Sequence, residues 1–76
     1  MIFDELVEIF KRVMPQMDAS KLKPESVLTT DIGIDSLNMM LLAITVEDQF
    51  GIKFEAGVKL DTVSDIMEYI EKCKES

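Results

Sequence analysis

A chain of 76 residues with fifteen acidic side chains against eight basic ones, a net charge of −7 and no histidine has room for one small domain and one core. That charge repels phosphate backbones and anionic lipid, which argues against nucleic acid and membrane partners and in favour of basic protein surfaces. A single cysteine leaves neither an internal disulfide nor a thiolate zinc site, fits a reducing cytoplasmic setting, and no apolar run is long enough to span a bilayer.

The opening "MIFDELVEIFKRV" is amphipathic and acidic early, unlike a secretory signal. Residues 2 to 14 read as a helix, with Phe3, Leu6, Val7, Phe10 and Met14 at helical spacing. Asp4 and Glu5 in its first turn and Lys11 and Arg12 in its last complement the helix dipole, and Glu8 can pair with Lys11 or Arg12 one turn on. Pro15 then stops it. Residues 15 to 34 form a long, mobile connection, expected to be pinned to the core by Val27, Leu28 and Ile32, with Gly33 making a tight turn at its end.

A second helix is predicted from about Ser36 to Phe50, with Asp35 as N-cap and Gly51 as its stop. The segment 52 to 61, "IKFEAGVKLD", offers at most one short helical turn, because Gly57 and Val58 are poor helix formers. A last helix starts at Thr62, where "TVSD" resembles a capping box with Asp65 in the usual Glu or Gln position. Its stripe is Val63, Ile66, Met67 and Ile70, and the tail "EKCKES" is expected to fray. Cys73 stands there between Lys72 and Lys74 and needs no chemical role. The six methionines are expected to fill an adaptable core.

The second helix carries two apolar stripes. Met39, Leu42, Ala43, Val46 and Phe50 share one face; Leu37, Met40, Leu41 and Ile44 share another, which runs on into Glu47 and Asp48. Acids are rarely buried unpaired, so the first stripe is assigned inward and the second at least partly outward. An outward apolar patch with an acidic end suits docking, although a helix apolar on most sides can simply be central in a bundle. No basic residue lies between Lys23 and Lys53, whereas Glu25, Asp31, Asp35, Glu47 and Asp48 all do, which favours a basic partner.

Ser36 is no nucleophile by the usual logic. There is no histidine, no Ser-x-x-Lys spacing at Ser36 and no Gly-x-Ser-x-Gly elbow, and the scattered acids show no pair with split roles. No catalytic residue or metal site is assigned, and the chain is not expected to be an enzyme. A serine at the first turn of a helix is a natural attachment point, since phosphate there meets free N–H groups and the dipole, with Asp35 opposing it locally. On Asp-Ser-Leu alone, a serine that merely helps cap the helix is the simpler reading.

The wider context resembles the acyl carrier protein family. The elements that carry the likeness are Gly33, Asp35, Ser36 and Leu37 in "GIDSL", the apolar second helix ending in Glu47 and Asp48, "QFGIKF", and "TVSDIMEYI", in order over essentially the whole chain. The resemblance implies an all-α, up-and-down four-helix bundle over residues 1 to 76, with three main helices, a short third helix and a long first loop. It implies 4′-phosphopantetheine moved from coenzyme A onto Ser36 by a phosphopantetheinyl transferase, with Asp35 and Leu37 flanking the attachment site. The arm's thiol would hold acyl groups as thioesters, shelter them among the helices, and deliver them between acyl-transferring and acyl-modifying enzymes. Basic surfaces of those enzymes would dock at Asp35, Leu37, Met40, Leu41, Ile44, Glu47 and Asp48, and the carrier would act as a cytoplasmic monomer.

Departures from the family pattern matter. Asn38 and Leu41 stand where many fatty acid carriers have acids, and "EAGVKLD" is shorter and less acidic than the usual third-helix region. The expected interface is therefore more apolar, as in a specialised carrier for fatty acid, lipid or polyketide-type synthesis. Two other readings compete: an aminoacyl or peptidyl carrier, for which Ile34-Asp35 is the less usual lead-in, and an unmodified acidic helical adaptor that binds through the second helix.

Overall fold

Local capping and apolar spacing produce three α-helices, and the computed structural model describes them within residues 2–75. The first, α1 (Ile2–Val13), buries Leu6, Ile9 and Phe10. Ile9 was missing from the predicted stripe; the buried face is wider, and Phe3 and Val7 stand at its half-buried margins. Met14 still donates its N–H to Phe10 at 2.8 Å before Pro15 ends the pattern. Glu8 and Lys11 pair at 3.2 Å on the exposed side, a contact of little weight in water.

The first connection is tied down by local and long-range hydrogen bonds. Asp18 caps a one-turn 3-10 helix, Ala19–Lys21, accepting from the Ser20 N–H at 3.1 Å and its hydroxyl at 2.6 Å. The two Ser20 hydrogen bonds hold the Asp18 carboxyl below its usual range. Leu22, Leu28 and Ile34 are buried, while Val27 and Ile32 are only half-buried. The connection is then stitched to the start of the last helix. Leu28 donates to Asp61 at 2.8 Å, Val63 to Ser26 at 3.1 Å and Ser64 to Pro24 at 2.7 Å, around an isolated antiparallel bridge between Val27 and Thr62. Such pairing satisfies backbone groups that a loop over a core would otherwise leave buried and unmet.

The second helix, α2 (Ser36–Phe50), begins and ends where its caps dictate. Asp35 is extended and accepts from the Asn38 N–H at 2.8 Å. Gly51 is left-handed, φ 67°, with its N–H on the Glu47 carbonyl. The third, α3 (Val63–Glu75), is opened by the predicted capping box: Thr62 Oγ1 accepts from the Asp65 N–H at 3.2 Å, and Asp65 accepts from Thr62 at 3.0 Å and Asp61 at 2.9 Å. The tail does not fray as expected: the helix runs to Glu75, Cys73 packs against the core cluster, and the Lys74 ammonium lies 5.9 Å from the Phe50 ring centre. Ser76 lies outside the described residues.

The short helical turn expected within 52 to 61 does not form. The stretch is an extended strap with one turn at Ala56–Gly57. Tertiary contacts explain why: Ile52 is buried, the Phe54 ring packs on Tyr69 with centroids 4.9 Å apart, and the Tyr69 hydroxyl donates to Lys53 O while accepting from the Glu55 N–H, each at 3.0 Å. The only short helix among the described residues is the 3-10 turn in the first connection. One core cluster joins all three helices through Leu6, Phe10, Leu28, Leu42, Val46, Val63, Ile66 and Ile70. Methionine contributes less to it than expected: Met14 is buried, Met17, Met39 and Met67 lie at its margin, and Met40 is exposed.

Candidate functional site

The two stripes of α2 separate as charge and apolar pattern require. Leu42, Val46 and Phe50 are buried, with Met39 and Ala43 half-buried beside them. On the opposite side Leu37 is 65% exposed, Met40 61%, Ile44 55% and Leu41 45%. Leu41 is therefore not absorbed by the first connection. Four large apolar side chains in a row on one exposed helix face are more than scattered surface hydrophobicity. Asp35 and Asp48 are exposed at the two ends of this face.

Ser36 is the first residue of α2 and is exposed. The backbone that delivers it is fixed by Gly33, at φ 77°, and by the Ile34 N–H on Leu28 O at 3.0 Å. Asp35 spends one carboxylate oxygen on the Asn38 N–H, so it shapes the helix start rather than acting as a base for Ser36. Beside the hydroxyl opens a recess of about 350 Å³ lined by Thr29, Ile34, Asp35, Ser36 and Met39. Met39 also lines a second recess, about 280 Å³, completed by Ala43, Phe54, Val58 and Leu60. The two recesses share Met39 and are both mainly apolar, a two-part groove beside α2. Thr29, Ile34, Phe54, Val58 and Leu60 were not foreseen as site residues; only the inward assignment of Met39 and Ala43 hinted at the groove.

Glu47, expected beside Asp48 on the docking face, is half-buried, and its Oε2 accepts from the Phe54 N–H at 2.7 Å. A larger recess of about 410 Å³ lies elsewhere, between Val58–Leu60 and α3, lined by Lys59, Asp65, Glu68, Tyr69 and Glu71 among others. It holds neither a serine nor a cysteine, and we assign it no chemistry. Among the described residues no group of acids and cysteine is placed to hold a metal ion, and no helix is long and apolar enough to cross a membrane.

The site can present a hydroxyl to another protein's active centre and can take a flexible, partly apolar chain in the adjoining groove. Room and polarity both fit a pantetheine-like arm: the recess is open at Ser36 and lined mostly by carbon, and the exposed helix start leaves the phosphate position in water.

Comparison with known proteins bears directly on this geometry. The sequence profile of the family described as "Phosphopantetheine attachment site" matches residues 4–70. An acyl carrier protein of Micrococcus luteus is 37% identical over 57 residues, covering 72% of this chain and 70% of that protein. A meromycolate extension acyl carrier protein of Mycolicibacterium aurum is 38% identical over 72 residues, covering 92% of this chain and 73% of that protein. Its counterpart in Mycobacterium leprae is 36% identical over 72 residues, covering 92% of this chain and 62% of that protein.

Proposed function

The chain belongs to the phosphopantetheine-attachment family of acyl carrier proteins, and from that premise we propose that Ser36 is the residue that bears its arm. As an acyl carrier protein it holds a covalently attached 4′-phosphopantetheine, whose terminal thiol carries acyl groups as thioesters between biosynthetic enzymes. The family consists of carriers rather than catalysts. The observation that supports Ser36 is its exposed position on the first turn of α2, lining the recess it shares with Thr29, Ile34 and Met39. The whole 76-residue sequence is read as one carrier domain.

The chain's own residues position and present; they do not react beyond the serine. Asp35 fixes the helix start, Gly33 and Ile34 fix the approach, and Ser36 offers its oxygen to a phosphopantetheinyl transferase, which must supply the base. Met39, Ala43, Phe54, Val58 and Leu60 line the shelter for an acyl chain. Leu37, Met40, Leu41 and Ile44, with Asp35 and Asp48 at the ends, form the docking face for the transferase and for enzymes with basic surfaces. Asn38 and Leu41 make this face less ionic than in many fatty acid carriers. Together with relatives named for meromycolate extension, this supports a specialised lipid carrier; its action as a cytoplasmic monomer is part of the same proposal.

The test is intact mass after incubation with coenzyme A and a broad-specificity phosphopantetheinyl transferase. A gain of one phosphopantetheine that disappears in Ser36→Ala is the expected result. A gain that persists in Ser36→Ala would move the attachment point, and no gain on folded protein with several transferases would sink the assignment.

A further inference from the structure

The family resemblance puts Glu47 and Asp48 together as acids for a partner, yet the two are placed differently. Asp48 is exposed, whereas Glu47 is half-buried and accepts from the Phe54 N–H at 2.7 Å. That is a short, charge-assisted bond, and it reaches seven residues along the chain to the strap. The same stretch is gripped from α3: the Tyr69 hydroxyl donates to Lys53 O and accepts from the Glu55 N–H, and its ring packs on Phe54. Residues 53, 54 and 55 are thus clamped between a side chain of α2 and a side chain of α3. Within the strap itself, the turn in which Val58 donates to Glu55 O at 3.2 Å is the local hydrogen bond, and no helix stiffens it. This strap supplies Phe54, Val58 and Leu60 to the recess that shares Met39 with the one beside Ser36.

We propose that Glu47 and Tyr69 are positioning residues for the cargo: they hold the strap as one wall of the acyl groove, and Glu47 acts through the Phe54 N–H instead of pairing with a partner enzyme. The inference rests on the acyl carrier reading. Without the Glu47 bond the Phe54 N–H must find water, the strap moves out to let it do so, and the groove opens. Charge is not the property this role requires. A glutamine presents an amide oxygen at the same place and can accept the same hydrogen bond, whereas a docking acid is disabled by loss of charge alone.

The experiment uses holo-protein carrying either an acetyl or a dodecanoyl thioester and measures the rates at which hydroxylamine cleaves them. The ratio of the two rates reports sheltering, because only the long chain reaches the groove. The wild type should cleave the dodecanoyl ester more slowly. Glu47→Ala should reduce that protection by about fivefold, the scale of one net hydrogen bond, Tyr69→Phe, which removes two, by at least as much, and Glu47→Gln should retain it. The rates are read well below each variant's melting temperature, measured in parallel, because global unfolding would itself strip the dodecanoyl chain of its shelter and lower the ratio. In the transferase reaction, Glu47→Gln should keep kcat/KM within about twofold, while Asp48→Asn lowers it several-fold, as expected for an exposed charge that steers encounter. A wild-type ratio of one, or a Glu47→Gln variant that loses protection or transfer as fully as Glu47→Ala, would overturn the assignment. Failure of the carrier reading shows earlier and separately, as absence of the phosphopantetheine mass.

Discussion

At the scale of the residue, Asp65 shows how much one side chain can organise. Its carboxylate accepts N–H groups from Asp61 and Thr62 just where α3 starts. Those backbone bonds, that from Asp61 foremost, hold its pKa below the ordinary carboxylate value. A depressed pKa in the folded state means that its contribution is complete above the unfolded value, near 3.9, and is lost as pH falls through the folded one. Asp65→Ala should therefore lose about 1 kcal/mol in urea unfolding at pH 7, and its deficit against the wild type should shrink below about pH 4. A deficit that stayed constant down to the acid limit would contradict the carboxylate's role. Both this cap and that at Asp35 are legible in sequence, because each donor lies within a few residues of its acceptor. The tie from Glu47 to Phe54 was not legible: it forms only after α2 has ended and the chain has turned back at Gly51.

At the scale of the element, α2 carries two apolar faces, one buried and one exposed. Leu42 is 1% exposed and Leu41 is 45% exposed, so neighbours in sequence should respond in opposite ways. Leu42→Ala should cost about 2–5 kcal/mol, a large share of what a domain of this size has to lose. Leu41→Ala should change stability by less than about 1 kcal/mol but lower kcat/KM with an enzyme that docks on this face by about tenfold. Urea unfolding and transferase kinetics on the two variants check both halves. Periodicity could show that two stripes existed; the acids at the end of one indicated which was outward. The same reasoning failed for 52 to 61, where weak helix propensity was the only local signal. Tyr69 and Glu47 decide that conformation from other elements, and such contacts leave no mark on local spacing.

At the scale of the whole molecule, −7 charges on 76 residues repel one another throughout the fold. Exposed pairs such as Glu8 with Lys11 offset little of that. Raising sodium chloride from about 0.01 M to about 0.15 M shortens the screening length from about 30 Å to about 8 Å. The melting temperature should rise by about 5 °C, which for so small a domain corresponds to about 1 kcal/mol. A flat series would mean that the charges are already neutralised locally. The overall arrangement of three helices and a long first connection was readable from apolar spacing and caps. How that connection is held was not, because its partners lie at the far end of the chain.

That long-range stitch, Pro24 to Leu28 against Asp61 to Ser64, bears on the delivery of cargo. The lead-in to Ser36 is riveted to the last helix and cannot pay out like a tether. On the proposed assignment of Ser36, the pivot of the arm is therefore tied to the last helix through this stitch. All reach must come from the arm's own rotatable bonds, and every change of destination from reorientation of the entire body. Transport by such a carrier works as a crane on a stiff base, in which lengthening the first connection adds no radius to the swing.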